Sequence, residues 1–286
     1  TNRHQNATFK IVMNLKKGEY YMKKKLLTLL LTGACALALA ACSSTSNNSS
    51  SNTNTPTDKQ DSKGGKTVEI NVSAAASLKD ALEKINENYK QATGTTVVLN
   101  LGGSGALVKQ IKEGAPTDLF ISASNKAMNE LVEGGTVEKE SVSVLLKNSL
   151  VLVVPKDNAA KIEKVEDLAN LDEKSKLAIG EVETVPAGQY AKESLTNLKL
   201  WDKVESHVVY AKDVRQVRSY VEGGEAVAGF IYASDAAGDD KVKVVQTMDE
   251  STHKKIVYPS AVIKGAANAD AVGRSEERRV GKECRS

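Results

Sequence analysis

Four short segments combine small or hydroxyl side chains with the predicted start of a helix. Ser77 follows a strand pattern and precedes an amphipathic pattern, Ser104 stands in the glycine-rich run 102–105, and the turns 185–188 and 212–214 occupy similar junctions. The first N–H groups of a helix lack acceptors within the helix and carry partial positive charge, so each junction can bind an anion. No Lys or Arg lies inside the loops of Ser77 and Ser104, so neutral donors would hold that anion.

Each of these positions also has a purely structural interpretation. Ser77 at a predicted N-cap would contribute about 1 kcal/mol by capping alone, and Ser104 fits an ordinary glycine turn. Pro186 is a residue type that starts helices, and Tyr232, which ends an apolar strand pattern, fits a core position. A buried dianion needs all its oxygens hydrogen-bonded, so about seven charge-assisted donors from several junctions would have to act together.

A serine hydrolase is the alternative from another functional class. Residues 102–106 read GGSGA and nearly match the nucleophile elbow G-x-S-x-G, but Ala106 stands in the last place. A catalytic triad needs a histidine within hydrogen-bond reach of the serine. His207 falls in a predicted strand and His253 in a charged turn, and neither position suggests such a base.

The elements that position these junctions alternate between strand and helix. Strand patterns are predicted at 68–72, 96–101, 118–122, 149–154, 177–179, 207–210, 226–232, 242–245 and 256–263. Helical patterns are predicted around 78–89, 107–111, 126–134, 165–171, 188–198 and 213–221. This alternation predicts parallel strands with right-handed crossovers, and two successive α/β units predict two lobes. Ligands of open α/β sheets bind outside the carboxyl ends of the strands, which in two lobes can face one cleft.

The charge balance argues against a nucleic-acid partner. The whole chain has a formal net charge of +3, but residues 67–272 hold about 24 Lys and Arg against about 30 Asp and Glu. The positive excess therefore lies in the flanks. A mildly acidic domain is a poor surface for nucleic acid, although local dipoles can still bind a small anion.

The N-terminal flank has the features of a bacterial lipoprotein signal. From Met22 the sequence is first basic, then apolar, and ends in small residues before Cys42, as in a secretory signal peptide. We predict a signal peptide at 22–41, lipidation of Cys42 and a flexible tether through residue 66, because the Ser/Asn/Thr-rich segment cannot bury enough apolar surface to fold. Two acyl chains would anchor the protein to the membrane.

Two end segments are set aside from the fold. Residues 1–21 precede the basic start of the signal and fit translated leader DNA, and residues 273–286 resemble the translation of a sequencing adapter. Cys35 and Cys284 then fall in the signal and the tail. The domain is therefore predicted to have no disulfide and no cysteine-based metal site.

Periplasmic molybdate-binding proteins resemble this chain in seven segments, in order and in spacing: AAASLKDAL (74–82), GAPTDLFISA (114–123), NSLVLVVPK (148–156), VPAGQYAKESL (185–195), AKDVRQV (211–217), GFIYASDA (229–236) and HKKIVYPSAVI (253–263). The resemblance covers nearly all of 67–272. It implies an α/β, two-lobed type II periplasmic-binding-protein fold with the ligand in the interlobe cleft and two hinge strands near 149–154 and 256–263. Lobe one would comprise 67–149 and 256–272, and lobe two 150–255.

The resemblance also implies a ligand set. Carried over by position, the oxyanion ligands are the hydroxyls of Ser77, Ser104 and Tyr232 and the backbone N–H groups of Ala187 and Val214, with further N–H donors from Ala76 and Ser104. One departure is visible, because some relatives have a serine-rich turn where this chain has glycines around Ser104. Family members also continue with helices that pack on lobe one, so we expect apolar surface on that lobe to be exposed here.

The implied function is high-affinity capture of molybdate or tungstate and delivery to an ABC permease. The resemblance implies a monomeric binding protein, not an enzyme, lipid-anchored on the extracytoplasmic face, with no cofactor and no metal other than that of the oxyanion. Sulfate or phosphate is the alternative ligand. Protonated phosphate needs an acceptor, and no implied ligand position is a carboxylate; Glu181, Glu183 and Asp213 lie nearby and are assigned to solvent or capping. Cavity size would have to exclude sulfate.

Overall fold

A computed structural model describes residues 69–268, so the predicted signal peptide, Cys42, the tether and the adapter-like tail lie outside the described residues. The strands are β1 (Glu69–Ala75), β2 (Thr96–Gly102), β3 (Leu119–Ile121), β4 (Ser143–Lys147), β5 (Leu150–Pro155), β6 (Leu177–Gly180), β7 (Val208–Ala211), β8 (Ala228–Tyr232), β9 (Val242–Thr247) and β10 (Val257–Val262). The α-helices are α1 (Lys79–Thr93), α2 (Ser104–Lys112), α3 (Asn125–Glu133), α4 (Pro186–Asn197), α5 (Trp201–Val204), α6 (Val214–Glu222) and α7 (Ala233–Ala236).

Most elements predicted from hydrophobic periodicity are confirmed within a few residues. The segment predicted as a helix at 165–171 is instead a 3-10 helix, Val165–Asn170, and β4 was not predicted at all. The strand β4 was missed because its side chains are largely exposed or half-buried and its sequence lacks a clear alternation. Periodicity reports burial, so a weakly buried strand leaves little trace in the sequence.

The strands form two five-stranded sheets, in the orders β2-β1-β3-β10-β4 and β7-β6-β8-β5-β9. The predicted parallel pairing is confirmed for β1 with β2 and β3, and for β6 with β7 and β8. It fails for β10 and β5, which run antiparallel to both of their neighbours. These two strands enter their sheets directly after the chain has crossed from the other sheet, so they arrive from the opposite side.

The chain crosses between the sheets at two places. The first is the short link after β4, at Asn148 and Ser149, and the second is the longer segment that leads from β9 to β10. The two links touch, because the Asn148 N–H donates to the Ile256 carbonyl at 3.2 Å. The lobe boundaries assigned from the sequence remain a prediction, since pairing of strands does not by itself define rigid bodies.

The largest apolar cluster surrounds the second sheet. Residues 150–154 of β5 are fully buried between helices, and the core there includes Trp201, Phe230 and Tyr258. The first sheet has two smaller apolar clusters. Next to one of them, α1 has no buried residue, Ile85 is 58% exposed, and an apolar groove of about 150 Å³ lies between α1 and the sheet.

Within residues 69–268, none of the helices combines the length and the apolar character that a membrane span requires.

Candidate functional site

The carboxyl ends of five strands lie around one small cavity. Strands β1 and β2 of the first sheet lead into Ser77 and Ser104, and strands β6, β7 and β8 of the second sheet lead toward Ala187, Val214 and Tyr232. The cavity is lined by Ala75, Ala76, Ser77, Gly102, Gly103, Ser104, Ala123, Val185, Pro186, Ala187, Asp213, Val214 and Tyr232. All six positions named from the sequence as ligands therefore meet, as expected for strand ends in an α/β fold.

The volume of the cavity restricts what could fill it. It is about 10 Å³, whereas pockets for drug-sized organic ligands usually occupy about 300–1,000 Å³. A cavity this small excludes a nucleotide or a peptide and leaves only a ligand of a few atoms. Among residues 69–268, no group of three or more His, Cys, Asp or Glu side chains is placed to hold a metal cation.

Ser77 reaches the cavity in a different way from the one predicted. It lies in the 3-10 turn Ala76–Leu78, and α1 begins two residues later with Leu78 as its N-cap and no side-chain capping bond. The prediction that Ser77 caps this helix is therefore wrong. Its hydroxyl is instead 2.8 Å from the Tyr258 hydroxyl. The Ser77 oxygen is thus not committed to the helix backbone.

Ser104 is the first residue of α2 and is completely buried. Its Oγ accepts the backbone N–H of Ala123 at 3.0 Å. A serine hydroxyl has one hydrogen to donate and two lone pairs that accept. Because an acceptor position is occupied by Ala123, the hydroxyl hydrogen is available to a ligand in the cavity. The Ser104 hydroxyl can therefore donate a hydrogen bond into the cavity.

Two helix starts approach the cavity from the second sheet. Pro186 is the first residue of α4, so Ala187 sits in the first turn, where backbone N–H groups have no acceptor within the helix. At the start of α6, the Asp213 carboxylate accepts the Gln216 N–H at 2.9 Å. The capping role expected for Asp213 is thus confirmed, and Val214 follows it as the first helical residue.

A glycine allows α4 to begin so close to the sheet. A Cβ built on Gly188 would lie 1.9 Å from the Gly180 carbonyl oxygen, well inside any tolerable contact. The helix start is therefore pressed against the end of β6, which holds the Ala187 N–H at the cavity.

The Tyr232 hydroxyl is buried and has no hydrogen-bond partner. The residue ends β8, is 1% exposed, and packs edge-on against Tyr258 at 5.8 Å between ring centroids. Burial raises the pKa of Tyr232 well above its usual value, so the group stays protonated and keeps a hydrogen to donate. A buried hydroxyl without a partner is unfavourable, and this one lies at the wall of the cavity.

The two halves of the cavity are already closed on each other. The Gly105 N–H donates to the Thr184 carbonyl at 2.9 Å, and Arg215 of the second half pairs with Asp80 of the first at 2.9 Å. The hydrogen bond from Arg215 holds the pKa of the Asp80 carboxyl below its usual value. At Gly105 the close neighbour is the backbone of Thr184, in the opposite half of the cavity.

Gly105→Ala is expected to impair this closure. Its Cβ would lie 2.9 Å from Thr184 Cα and 3.0 Å from Thr184 O, so the closed form would be destabilised by about 1 kcal/mol and ligand affinity would fall about fivefold. Alanine also favours a helix over glycine, so the lobe itself should not be weakened. Calorimetric titration of the variant and of the wild type with the same anion measures the difference in affinity.

Gly223→Ala is the matched control for that variant. Its nearest atom, the Ser219 carbonyl oxygen at 3.2 Å, belongs to the same helix and lies outside the cavity. We expect its affinity to equal that of the wild type. Equal affinity of Gly105→Ala and the wild type would mean that Thr184 moves aside at no cost and that Gly105 is dispensable.

A second buried polar group, Asp235, lies three residues after Tyr232 in the chain. Asp235 is 4% exposed and neither of its carboxylate oxygens has a hydrogen-bond partner. Burial raises the pKa of Asp235 to about 7, against the opposing effect of Arg218 and Arg215. Arg218 donates to the Asp235 backbone carbonyl at 2.9 Å and pairs with Glu222 and Asp239. The folded protein therefore favours a neutral Asp235.

Asp235→Asn is expected to remove a pH dependence of stability. In the wild type the folded state holds this proton up to about pH 7 and the unfolded state releases it near pH 4, so the free energy of unfolding falls as pH rises between these values. The variant should match the wild type at pH 4 and unfold about 8–16 °C higher at pH 8, because a difference of about three pKa units corresponds to about 4 kcal/mol. Thermal unfolding at both pH values tests this, with exposed Asp240→Asn as the unaffected control.

The serine hydrolase alternative finds no support in this geometry. In residues 69–268 the His207 ring contacts the Ser175 carbonyl and the His253 ring contacts the Lys254 carbonyl. The hydrogen bond of Ser104 is with the Ala123 backbone. Neither histidine is placed to take a proton from that serine.

Three contributors to the site were not singled out from the sequence. They are Tyr258 beside Ser77, Ala123 beside Ser104, and the ion pair of Arg215 with Asp80. Tyr258 and Ala123 each lie in a segment that carried the family resemblance, but their residue types suggested only core packing. A contact between residues far apart in the chain leaves no pattern in the sequence around either residue.

Two α/β halves that meet at one small cavity at their strand ends define a two-lobed solute-binding protein. The sequence matches the model of the bacterial extracellular solute-binding proteins over residues 70–274. The molybdate-binding protein ModA of Haemophilus influenzae is 43% identical over 209 residues, which are 72% of this chain and 82% of that protein. YvgL of Bacillus subtilis, which is named as an ABC transporter substrate-binding lipoprotein, is 48% identical over 70% of this chain and 76% of its own length.

Solved structures agree with the fold. The periplasmic molybdate-binding protein of Azotobacter vinelandii superposes with a TM-score of 0.63 at 24% identity, over 72% of this chain and 90% of that one. The chain belongs to the bacterial extracellular solute-binding protein family, and the resemblance to its molybdate-binding members found in the sequence is confirmed.

Proposed function

We propose that this protein captures molybdate, or the similarly sized tungstate, outside the cytoplasmic membrane and delivers it to an ABC permease. In this proposal Ser77, Ser104 and Tyr232 donate hydroxyl hydrogens to the ion, and Ala76, Ser104, Ala187 and Val214 donate backbone N–H groups. The observation that carries the proposal is the buried, unpartnered Tyr232 hydroxyl at the wall of the small cavity where the proposed donors meet.

The chemistry of the donors favours a fully deprotonated anion. Each proposed ligand group can donate, and the Asp213 carboxylate that lines the cavity is engaged in capping α6. Monohydrogen phosphate would bring a hydrogen that needs an acceptor, so it would leave a bond unmade in a site closed to water. Molybdate and tungstate carry no such hydrogen. The relative named as molybdate-binding at 43% identity supports the same choice.

The proposed capture mechanism is closure of the two halves around the ion. Ligand contacts come from both sheets, so only the closed form makes all of them, and binding shifts the equilibrium toward that form. The links at Asn148 and Ile256 would serve as the hinge. The closed form would then be the one that docks on the permease.

We also propose that the protein acts as a lipoprotein on the extracytoplasmic face, as a monomer and without catalytic activity. A lipid on Cys42 and the tether through residue 66 would keep the domain near the permease. The lipobox-like sequence before Cys42 and a relative that is named as a lipoprotein support this location.

Calorimetric titration of the purified protein with molybdate, tungstate, sulfate and phosphate tests the proposal. We expect tight binding of one ion per chain for the first two and none for the others. Tight binding of sulfate or phosphate would be consistent with the fold but would contradict the proposed ligand. Absence of binding to all four, with a cooperative unfolding transition showing folded protein, would overturn the function.

A further inference from the structure

A buried tyrosine outside the cavity wall is linked to one of the proposed ligands. Tyr258 lies in β10, has no exposed surface, and places its hydroxyl 2.8 Å from Ser77 Oγ. Its ring packs against that of Tyr232. Tyr258 therefore touches two of the three proposed hydroxyl ligands without reaching the ion itself.

The direction of the hydrogen bond between Tyr258 and Ser77 follows from their neighbour Asn148. The Asn148 Oδ1 atom accepts the Ser149 N–H at 2.9 Å, which orients the amide. Its Nδ2 group then donates to the Tyr258 oxygen at 3.3 Å and to Ser234 Oγ at 2.8 Å. An amide nitrogen can only donate, so the Tyr258 oxygen acts as an acceptor toward Asn148 and its own hydrogen is available for Ser77.

This direction decides what Ser77 presents to the cavity. If Tyr258 donates, Ser77 accepts, and the Ser77 hydrogen can point at a bound anion. If Ser77 donated to Tyr258 instead, it would present lone pairs to a negative ion, which is repulsive. Ser104 is arranged in the same sense, since it accepts from Ala123. Tyr258 and the Ala123 N–H each donate to one of the two serines, so both serine hydroxyls can donate toward the cavity.

We propose that Tyr258 is a positioning residue of the oxyanion site, which donates to Ser77 and so turns the Ser77 hydroxyl hydrogen toward the ion. The inference rests on the proposed function. Because Asn148 lies in the link between the two sheets and also bonds Ser234, two residues after Tyr232, the hydrogen-bonded chain from Ser234 to Ser77 joins both halves of the site through that link.

A double-mutant cycle with molybdate as the ligand tests this role. Tyr258→Phe, which keeps the ring and its packing, is expected to weaken binding about five- to tenfold, and Ser77→Ala about tenfold. The double variant should bind like Ser77→Ala alone, because without the Ser77 hydroxyl there is nothing left for Tyr258 to orient. A tyrosine that served only the fold would instead give losses that multiply.

The control is Tyr210→Phe, a 45% exposed tyrosine away from the cavity, with wild-type affinity expected. Thermal unfolding of each ligand-free variant checks the fold. If Tyr258→Phe does not fold, Asn148→Ala, which removes the donor to Tyr258, enters the same cycle under the same criterion. If the losses of affinity of the two single variants multiply in the double variant, or if the Tyr258 variant alone loses none, the role of Tyr258 is overturned. The proposed function would still stand in either case, provided that the wild type binds molybdate. A wild type that does not bind molybdate would overturn both.

Discussion

Replacing Val214 with proline is expected to weaken molybdate binding about 10- to 100-fold, the effect of losing one hydrogen bond to a charged group. Val214 is the first residue of α6, where its N–H has no acceptor within the helix and is proposed to face the ion. Proline lacks that N–H, is well tolerated at a first helical position, and puts an apolar ring in place of the buried Val214 side chain. Asp213 before it is already extended, with φ −160° and ψ 171°, as a residue before proline prefers.

Asn125→Pro is the matched control for Val214→Pro. Asn125 is likewise the first residue of an α-helix after an extended N-cap, Ser124, but it is exposed and does not line the cavity. Both variants should unfold within a few degrees of the wild type, and only Val214→Pro should lose affinity in calorimetric titration. Equal affinity of Val214→Pro and the wild type would exclude the Val214 N–H from the site.

The Tyr232→Phe variant is expected to lose about 1–2 kcal/mol of binding free energy, which is about a tenfold change in affinity. Tyr232 is 1% exposed and its hydroxyl has no protein partner, so removal of the hydroxyl breaks no bond within the protein. The ligand-free variant should unfold at or above the temperature of the wild type, because a buried hydroxyl without a partner is unfavourable. Titration and thermal unfolding together separate a ligand from a core residue.

The combination of results matters for Tyr232. Tyr210→Phe, on the exposed side of β7, serves as the control with neither effect. A fall in stability with no fall in affinity would mean that Tyr232 serves only the core, which was its alternative interpretation. No change in either quantity would remove Tyr232 from the site and with it the observation that carries the proposed function.

Local patterns were sufficient for most of the elements, and the family resemblance supplied the proposed ligand positions. The strands that enter the cavity, the cap at Asp213 and the helix start at Pro186 each depend on a few neighbouring residues, so the sequence records them directly. The family resemblance rests on short segments of the same kind. That is why the positions named as ligands could be listed before any geometry was known, although their roles remain a proposal.

The amino-acid sequence therefore predicted most of the elements in order, the family and the positions that meet at the strand ends, but not β4. The antiparallel course of β5 and β10, the contact of Gly105 with Thr184, and the hydrogen bond of Ser77 with Tyr258 became visible only in the folded chain. They were not predictable because the partners are far apart in the chain: Ser77 and Tyr258 are separated by 181 residues. Contacts of that kind arise when two sheets pack together, and neither partner carries a local pattern that specifies the other.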